Sequence, residues 1–208
     1  TVAGRFDCPT TGSRWLHPAM LTTLIYRFGP PGTDGVRPER LLGNGQCATF
    51  DRRWFLDLGG LELVKHDVVE DVALSRRLAT MGWRVGFLDA SDLLTVRMFE
   101  SFTDAWHGWG RSLARPEVEA RSRQLFDLAV IVLAQAVPLP RLLLRRGDAV
   151  DVALAALRVG TLVGARRAYT RNDAAFWASP LADPLAAIAI ARGIARRRRQ
   201  TWRGRDYS

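Results

Sequence analysis

The sequence predicts an α/β domain followed by apolar, membrane-associated helices and a basic tail, with boundaries at 1–122, 123–195 and 196–208. Three observations predict it. Up to residue 122, short apolar runs of strand length alternate with segments of helical period. After Arg123, three long stretches are almost wholly apolar. The chain then closes on Arg196, Arg197, Arg198 and Arg199, directly after the last apolar stretch.

Residues 1–45 have weak periodicity, and GPPGTDG at 29–35 reads as loop because Pro and Gly interrupt regular structure. QCATF at 46–50 reads as a short strand. A turn follows at Gly59 and Gly60, where glycine supplies backbone angles that other residues adopt at a cost. A helix is expected from Glu70 to Met81, because Leu74, Leu78 and Met81 recur at i, i+4 and i+7. Gly82 is its stop. RVGFLD at 84–89 and LLTVRM at 93–98 read as two further strands. A second helix is expected from Glu100 to Leu113, with Phe102, Trp106, Trp109 and Leu113 on one face. That aromatic face suits either a protein core or a membrane interface, where Trp is favoured.

The apolar stretches are 125–144, 149–164 and 176–191. Each contains charged or polar residues, among them Asp127, Gln135, Asp151 and Arg158, so none is a clean span of about 20 apolar residues. Buried helices of a soluble protein fit each stretch taken singly. Three in a row, separated by arginines, favour the cell membrane, with the part before residue 123 and the basic tail both on the cytoplasmic side. An even number of crossings would follow, with one segment re-entrant or interfacial.

Charge supports the same direction. Thirty basic residues stand against 21 acidic ones, a net +9, and Lys65 is the only lysine. A basic chain suits anionic lipid or nucleic acid, and no nucleic-acid module is recognisable. Cys8 and Cys47 are far apart and lack zinc-ligand spacing, which excludes a disulfide-framework class. His17, His66 and His107 also lack ligand spacing and read as packing or surface residues.

The chemistry-bearing stretch is HDVVEDVALSRRL, 66–78. Glu70 and Asp71 open the expected helix. Acidic residues there are stabilised by the exposed N–H groups and the helix dipole. A carboxylate so placed can also point into a cleft and deprotonate a hydroxyl. The two roles stay open on these residues alone.

The neighbours add to this: LLGNGQCATF upstream, TVRMFES and AWHGWGRSL downstream, and WRGRDY near the end. In this order the set resembles the membrane-associated branch of the family 2 glycosyltransferases. It is most similar to the bacterial carotenoid and lipid glycosyltransferase group. The resemblance implies an inverting hexosyltransferase, the C-terminal part of a GT-A (Rossmann-like) domain, using a nucleotide-sugar donor and a lipid-like or carotenoid hydroxyl acceptor. It implies that Asp71 is the base, with Glu70 beside it. It implies a substrate-lining loop at Gly43, Gly45 and Gln46, and substrate contacts from Trp106, Trp109 and Arg111. The family's Gln-x-x-Arg-Trp motif is replaced here by WHGWGR. A divalent cation, Mg or Mn, is implied for the full enzyme, held by an Asp-x-Asp expected upstream; DASD at 89–92 has the wrong spacing for it. The implied metal set is therefore absent from this chain, which is expected to hold the acceptor side. Arg97 suits either a phosphate contact or a structural ion pair.

Overall fold

The computed structural model describes residues 1–33, 37–67, 69–113 and 119–195, together with the backbone of 200–202 and 205–207; for Arg111 it describes the backbone only. The expected α/β architecture is not what the chain forms. Helix accounts for 63% of the residues and strand for 6%, so this is a helical protein with vestigial sheets.

β1 (Val2–Ala3) pairs in parallel with β3 (Leu88–Asp89), and β2 (Arg5–Asp7) with β4 (Thr95–Arg97). The expected strands at 84–89 and 93–98 thus shrink to two and three residues. Parallel strands are stable mainly inside wide sheets covered on both faces. Here each sheet has two strands. The expected strand at 46–50 is irregular, and a short helix, α2 (Arg52–Asp57), follows it under an Asp51 cap. Gly59 and Gly60 do take positive φ, 93° and 60°.

The centre of the molecule is α1 (Thr11–Phe28), a helix the sequence pattern did not reveal. Thr10 and Ser13 close a capping box at its start, and it carries Pro18 inside. It lacks an amphipathic stripe because it is covered all round. Leu16, Ala19 and Met20 are fully buried, and so are Ser13, His17 and Thr23. Buried hydroxyls bond back within the helix, Thr22 to the Pro18 carbonyl and Thr23 to the Met20 carbonyl.

α3 (Glu70–Thr80) agrees with its expected range, with Gly82 at φ 88° beyond it. Leu74 and Leu78 are buried against Val64, while Met81 is exposed. Arg76 is buried, contrary to its position off the apolar stripe. Its Nε donates to the Leu41 carbonyl at 3.1 Å and its Nη2 to Glu119 at 3.0 Å. Arg40 donates to the Arg27 carbonyl and pairs with Asp127 at 3.1 Å. The guanidiniums of Arg27, Arg40 and Arg76 all lie over the Phe28 ring, at 5.0, 4.4 and 5.8 Å. This cluster fixes the segment before Gly43 against α1, α3 and the helix that carries Asp127.

α4 (Phe102–Ser112) starts under a Ser101 cap and packs on α1 through Ala105, Trp109 and Leu113. Five further helices follow among the described residues. α5 (Arg121–Ile131) runs through a π-helical turn (Val132–Ala136) into α6 (Pro138–Leu143). α7 (Ala149–Ala165) is capped by Asp148; α8 (Ala174–Trp177) is short; and α9 (Asp183–Ala195) returns to the core. β5 (Gln200–Trp202) and β6 (Arg205–Tyr207) pair antiparallel.

Two of these helices are turned inside out. On α5 and its continuation the buried residues include Gln124, Asp127 and Gln135 beside Ile131 and Ala136, while Leu125, Phe126 and Leu133 are exposed. On α7 the buried residues are Asp151, Arg158 and Leu162, while Val152, Leu157, Val159 and Val163 are exposed. Arg158 is 3% exposed and Asp183 1%, joined by a two-toothed ion pair at 2.8 and 3.1 Å. Gln135 donates to the same carboxylate at 2.8 Å and to the Ala19 carbonyl at 2.9 Å. One polar clasp thereby ties α1, α7, α9 and the π-helical turn together.

Candidate functional site

The start of α3 has no side-chain cap, because its N-cap residue is Val69. Asp71 serves the helix start instead: its Oδ1 accepts from the Val72 N–H at 2.8 Å. Its Oδ2 accepts from the Gly45 N–H at 2.8 Å. One carboxylate thus joins the helix start to the glycine loop. Gly43 permits that approach, since a Cβ there would overlap the Ser75 hydroxyl and the Asp71 carbonyl. A Cβ on Gly45 would meet the Asp71 side chain at ordinary contact, 3.4 Å.

Asp71 lines a cavity of about 640 Å³. Gly43, Gln46 and Trp109 line it too, so four of the residues singled out in the sequence meet around one space. Gly45 reaches it only through its bond to Asp71. Gln46 is oriented by Asn44, whose Oδ1 accepts from the Gln46 N–H at 3.0 Å, and its amide reaches the Met98 sulfur at 3.4 Å. Trp109 is buried, and its indole ring meets His17 edge-on at 5.2 Å.

Others of the set are elsewhere. Glu70 is exposed and outside the cavity lining. Trp106 is half-buried against the helical core, with the Arg192 guanidinium 5.8 Å from its ring. Arg111 belongs to α4, but its side chain lies outside the described residues, as do the side chains of WRGRDY and of the basic run. Arg97 is the structural ion pair, bound to Glu100 at 2.8 and 3.1 Å, which raises its pKa. His17 is a packing residue. It is fully buried, its Nδ1 lies 2.8 Å from the Tyr169 hydroxyl, and burial lowers its pKa to about 3.

Sequence reasoning missed half of the cavity wall. Leu21, Leu24 and Ile25 come from α1, and Thr161, Gly164 and Ala168 from the end of α7 and the turn after it. The signal available was faint. Leu21, Leu24 and Ile25 stand at i, i+3 and i+4, yet the polar residues between them hid the helix. Asp89 also lines the cavity, and its Oδ1 accepts from the Ser91 N–H at 2.9 Å.

The described residues contain no group of three or more His, Cys, Asp or Glu side chains placed to hold a metal ion. What the site offers is a carboxylate with both oxygens oriented by N–H donors, facing a space with polar and apolar walls. The chain matches no protein-family model, no curated protein and no solved structure.

Proposed function

We propose that the protein is a membrane-associated, inverting hexosyltransferase that moves a sugar from a nucleotide-sugar donor to a hydroxyl on a lipid-like acceptor, with Asp71 as the base. The observation that carries this reading is the Asp71 carboxylate itself, which opens α3, is held by the Gly45 and Val72 N–H groups, and lines a cavity of about 640 Å³. The motif order described above supports it independently.

The chemistry is short. The acceptor hydroxyl gives its proton to Asp71 while its oxygen forms a bond to the anomeric carbon. The bond from that carbon to the nucleoside diphosphate breaks on the opposite face, and the diphosphate leaves with the electron pair. Two fixed N–H donors hold the carboxylate in one orientation, which places a base without reorganisation at the moment of reaction. Gln46 and Trp109 shape the space where the acceptor lies.

The membrane part of the proposal rests on α5 and α7, whose polar residues face in and whose apolar residues face out. In water that pattern exposes apolar surface. In a bilayer it is the stable one, because ionisable groups inside a membrane face the bundle interior and pair there. Arg121–Leu143 is the one stretch among the described residues long and apolar enough to cross a membrane by length and composition.

The test is a transfer assay on membranes holding the protein expressed from its natural reading frame, with labelled nucleotide sugars. Asp71→Asn keeps the shape and removes the base; a loss of about 10²–10⁴-fold is expected for one acid–base group. Equal transfer by both proteins would reduce Asp71 to a helix-start ligand. No transfer by either, with the chain still in the membrane, would favour a non-catalytic membrane module, which the inverted helices alone also support.

A further inference from the structure

We infer that the apolar wall of the cavity holds the hydrocarbon tail of a membrane lipid alcohol, which enters from the bilayer between α1 and α7, and that Gly164 keeps this passage open. The placing of the lipid's hydroxyl at Asp71 rests on the transferase reading; the tail site does not.

The polar lining residues Asn44, Gln46 and Asp71 gather at the glycine loop and the start of α3, with Asp89 from β3. Apolar residues make up most of the remaining lining, Phe6, Phe87, Met98 and Phe99 from strands and loops and Leu21, Leu24 and Ile25 from one face of α1. Thr161, Gly164 and Ala168 lie on one side of the α7 end. A space of about 640 Å³ is within the usual range for a small-molecule site, about 300–1,000 Å³. A ligand that meets both walls is amphipathic.

The mouth points to its source. Gly164 lines the cavity and is also exposed, and its chain neighbour Val163 belongs to the outward apolar face of α7. The cavity therefore opens onto the same apolar surface that the inverted helix presents. Arg166 and Arg167 follow at the end of α7, both exposed, and Arg167 lines the cavity. Arginines at the end of an apolar helix mark the headgroup level of a bilayer. A tail lying in the bilayer would pass this mouth with its polar end directed to the glycine loop. A Cβ added at Gly164 meets no atom within 4 Å, so a side chain can be introduced at this lining position.

The experiment uses the full chain in lipid nanodiscs and a long-chain primary alcohol carrying a diazirine in its tail. Photolabelling is expected on peptides holding Leu21–Ile25 and Thr161–Ala168. Gly164→Trp should lower that labelling by about tenfold or more. Gly160→Trp is the control, because Gly160 also has open space beside it but lies outside the cavity lining; it should label like wild type. Matching elution of both variants from a sizing column shows that each is folded. Asp71→Asn should keep full labelling while losing transfer, which separates the tail site from the chemistry. Labelling spread over the outer faces of α5 and α7 and unchanged by Gly164→Trp would overturn the inference. So would undiminished transfer to a long-chain acceptor by Gly164→Trp, and in that case the transferase reading would survive. Blocked labelling in a protein that transfers nothing would leave the tail site standing and remove the transferase reading.

Discussion

The Asp71 carboxylate accepts from two backbone groups at once. Its Oδ1 takes a helix-start N–H, as a capping residue does, and its Oδ2 takes a loop N–H at the cavity wall. A helix-start bond uses one lone pair and leaves others for a substrate proton. Gly43 is the residue on which this placement depends. Gly43→Ala would drive a methyl group into the Asp71 carbonyl and push the loop off α3. Transfer should fall at least as steeply as in Gly45→Ala, whose added carbon has room, while membrane content of the two variants stays equal; a fully active Gly43→Ala would break the link between loop and base. His17 supplies a pH prediction. Its folded pKa is about 3, below the ordinary histidine value near 6.5, because burial disfavours the charged ring. Between those values the unfolded chain binds the proton and the folded chain does not. Stability is therefore complete above about pH 6.5 and falls as pH drops, by about 1.4 kcal/mol per unit from this residue. Melting of the solubilised protein from pH 7 to pH 4 should show that slope, and His17→Phe, though less stable throughout, should flatten it.

At the scale of elements, the inverted helices explain themselves through their clasp. Arg158 and Gln135 both donate to the Asp183 carboxylate deep between α7, α9 and the π-helical turn. A buried ion pair adds little net stability when intact, but removing one partner strands a charge, at a cost of about 3–5 kcal/mol. Asp183→Leu alone should therefore lower recovery of folded protein sharply. The double variant Arg158→Met with Asp183→Leu should recover much of the loss, since no charge is left unpaired. A double variant worse than both singles would mean that the clasp sets helix register as well as satisfying charge. The same elements show why the small sheets matter little to stability. β1 with β3 and β2 with β4 contribute a few residues each, and they serve to bring Asp89 and Met98 to the cavity.

For the whole molecule, α5, α6 and α7 expose large apolar side chains, among them Leu125, Phe126, Leu143, Val152 and Leu157, and exposed apolar surface of this kind marks a contact with lipid or another protein. The prediction is that the chain stays with membranes in high salt and at alkaline pH, and leaves them only in detergent. Release by salt alone would mean attachment through arginines to anionic headgroups, which salt screens. Solubility without detergent would remove the bilayer from the account. The cavity that Asp71 lines and the exposed apolar surface are linked through α7, whose last turns contribute to both.

By itself the sequence determined the local features: α3 and α4 with their ends to within two residues, the glycine turn at 59–60, and the start of the apolar region. Each is set by short-range physics, by periodicity, capping or composition, and so is legible in a window of a few residues. Tertiary structure decided the rest. α1 is buried on every side, so it has no polar face to betray it. The strands expected at 46–50, 84–89 and 93–98 have β-like composition, but parallel pairing is non-local and lacks a wide sheet here. Arg76, Arg158 and Asp183 are buried only because their partners, 25 to 43 residues away in the chain, reach them. The cavity is built from α1, α3, α4 and the end of α7, and contact between residues so far apart in sequence leaves no periodic trace in it.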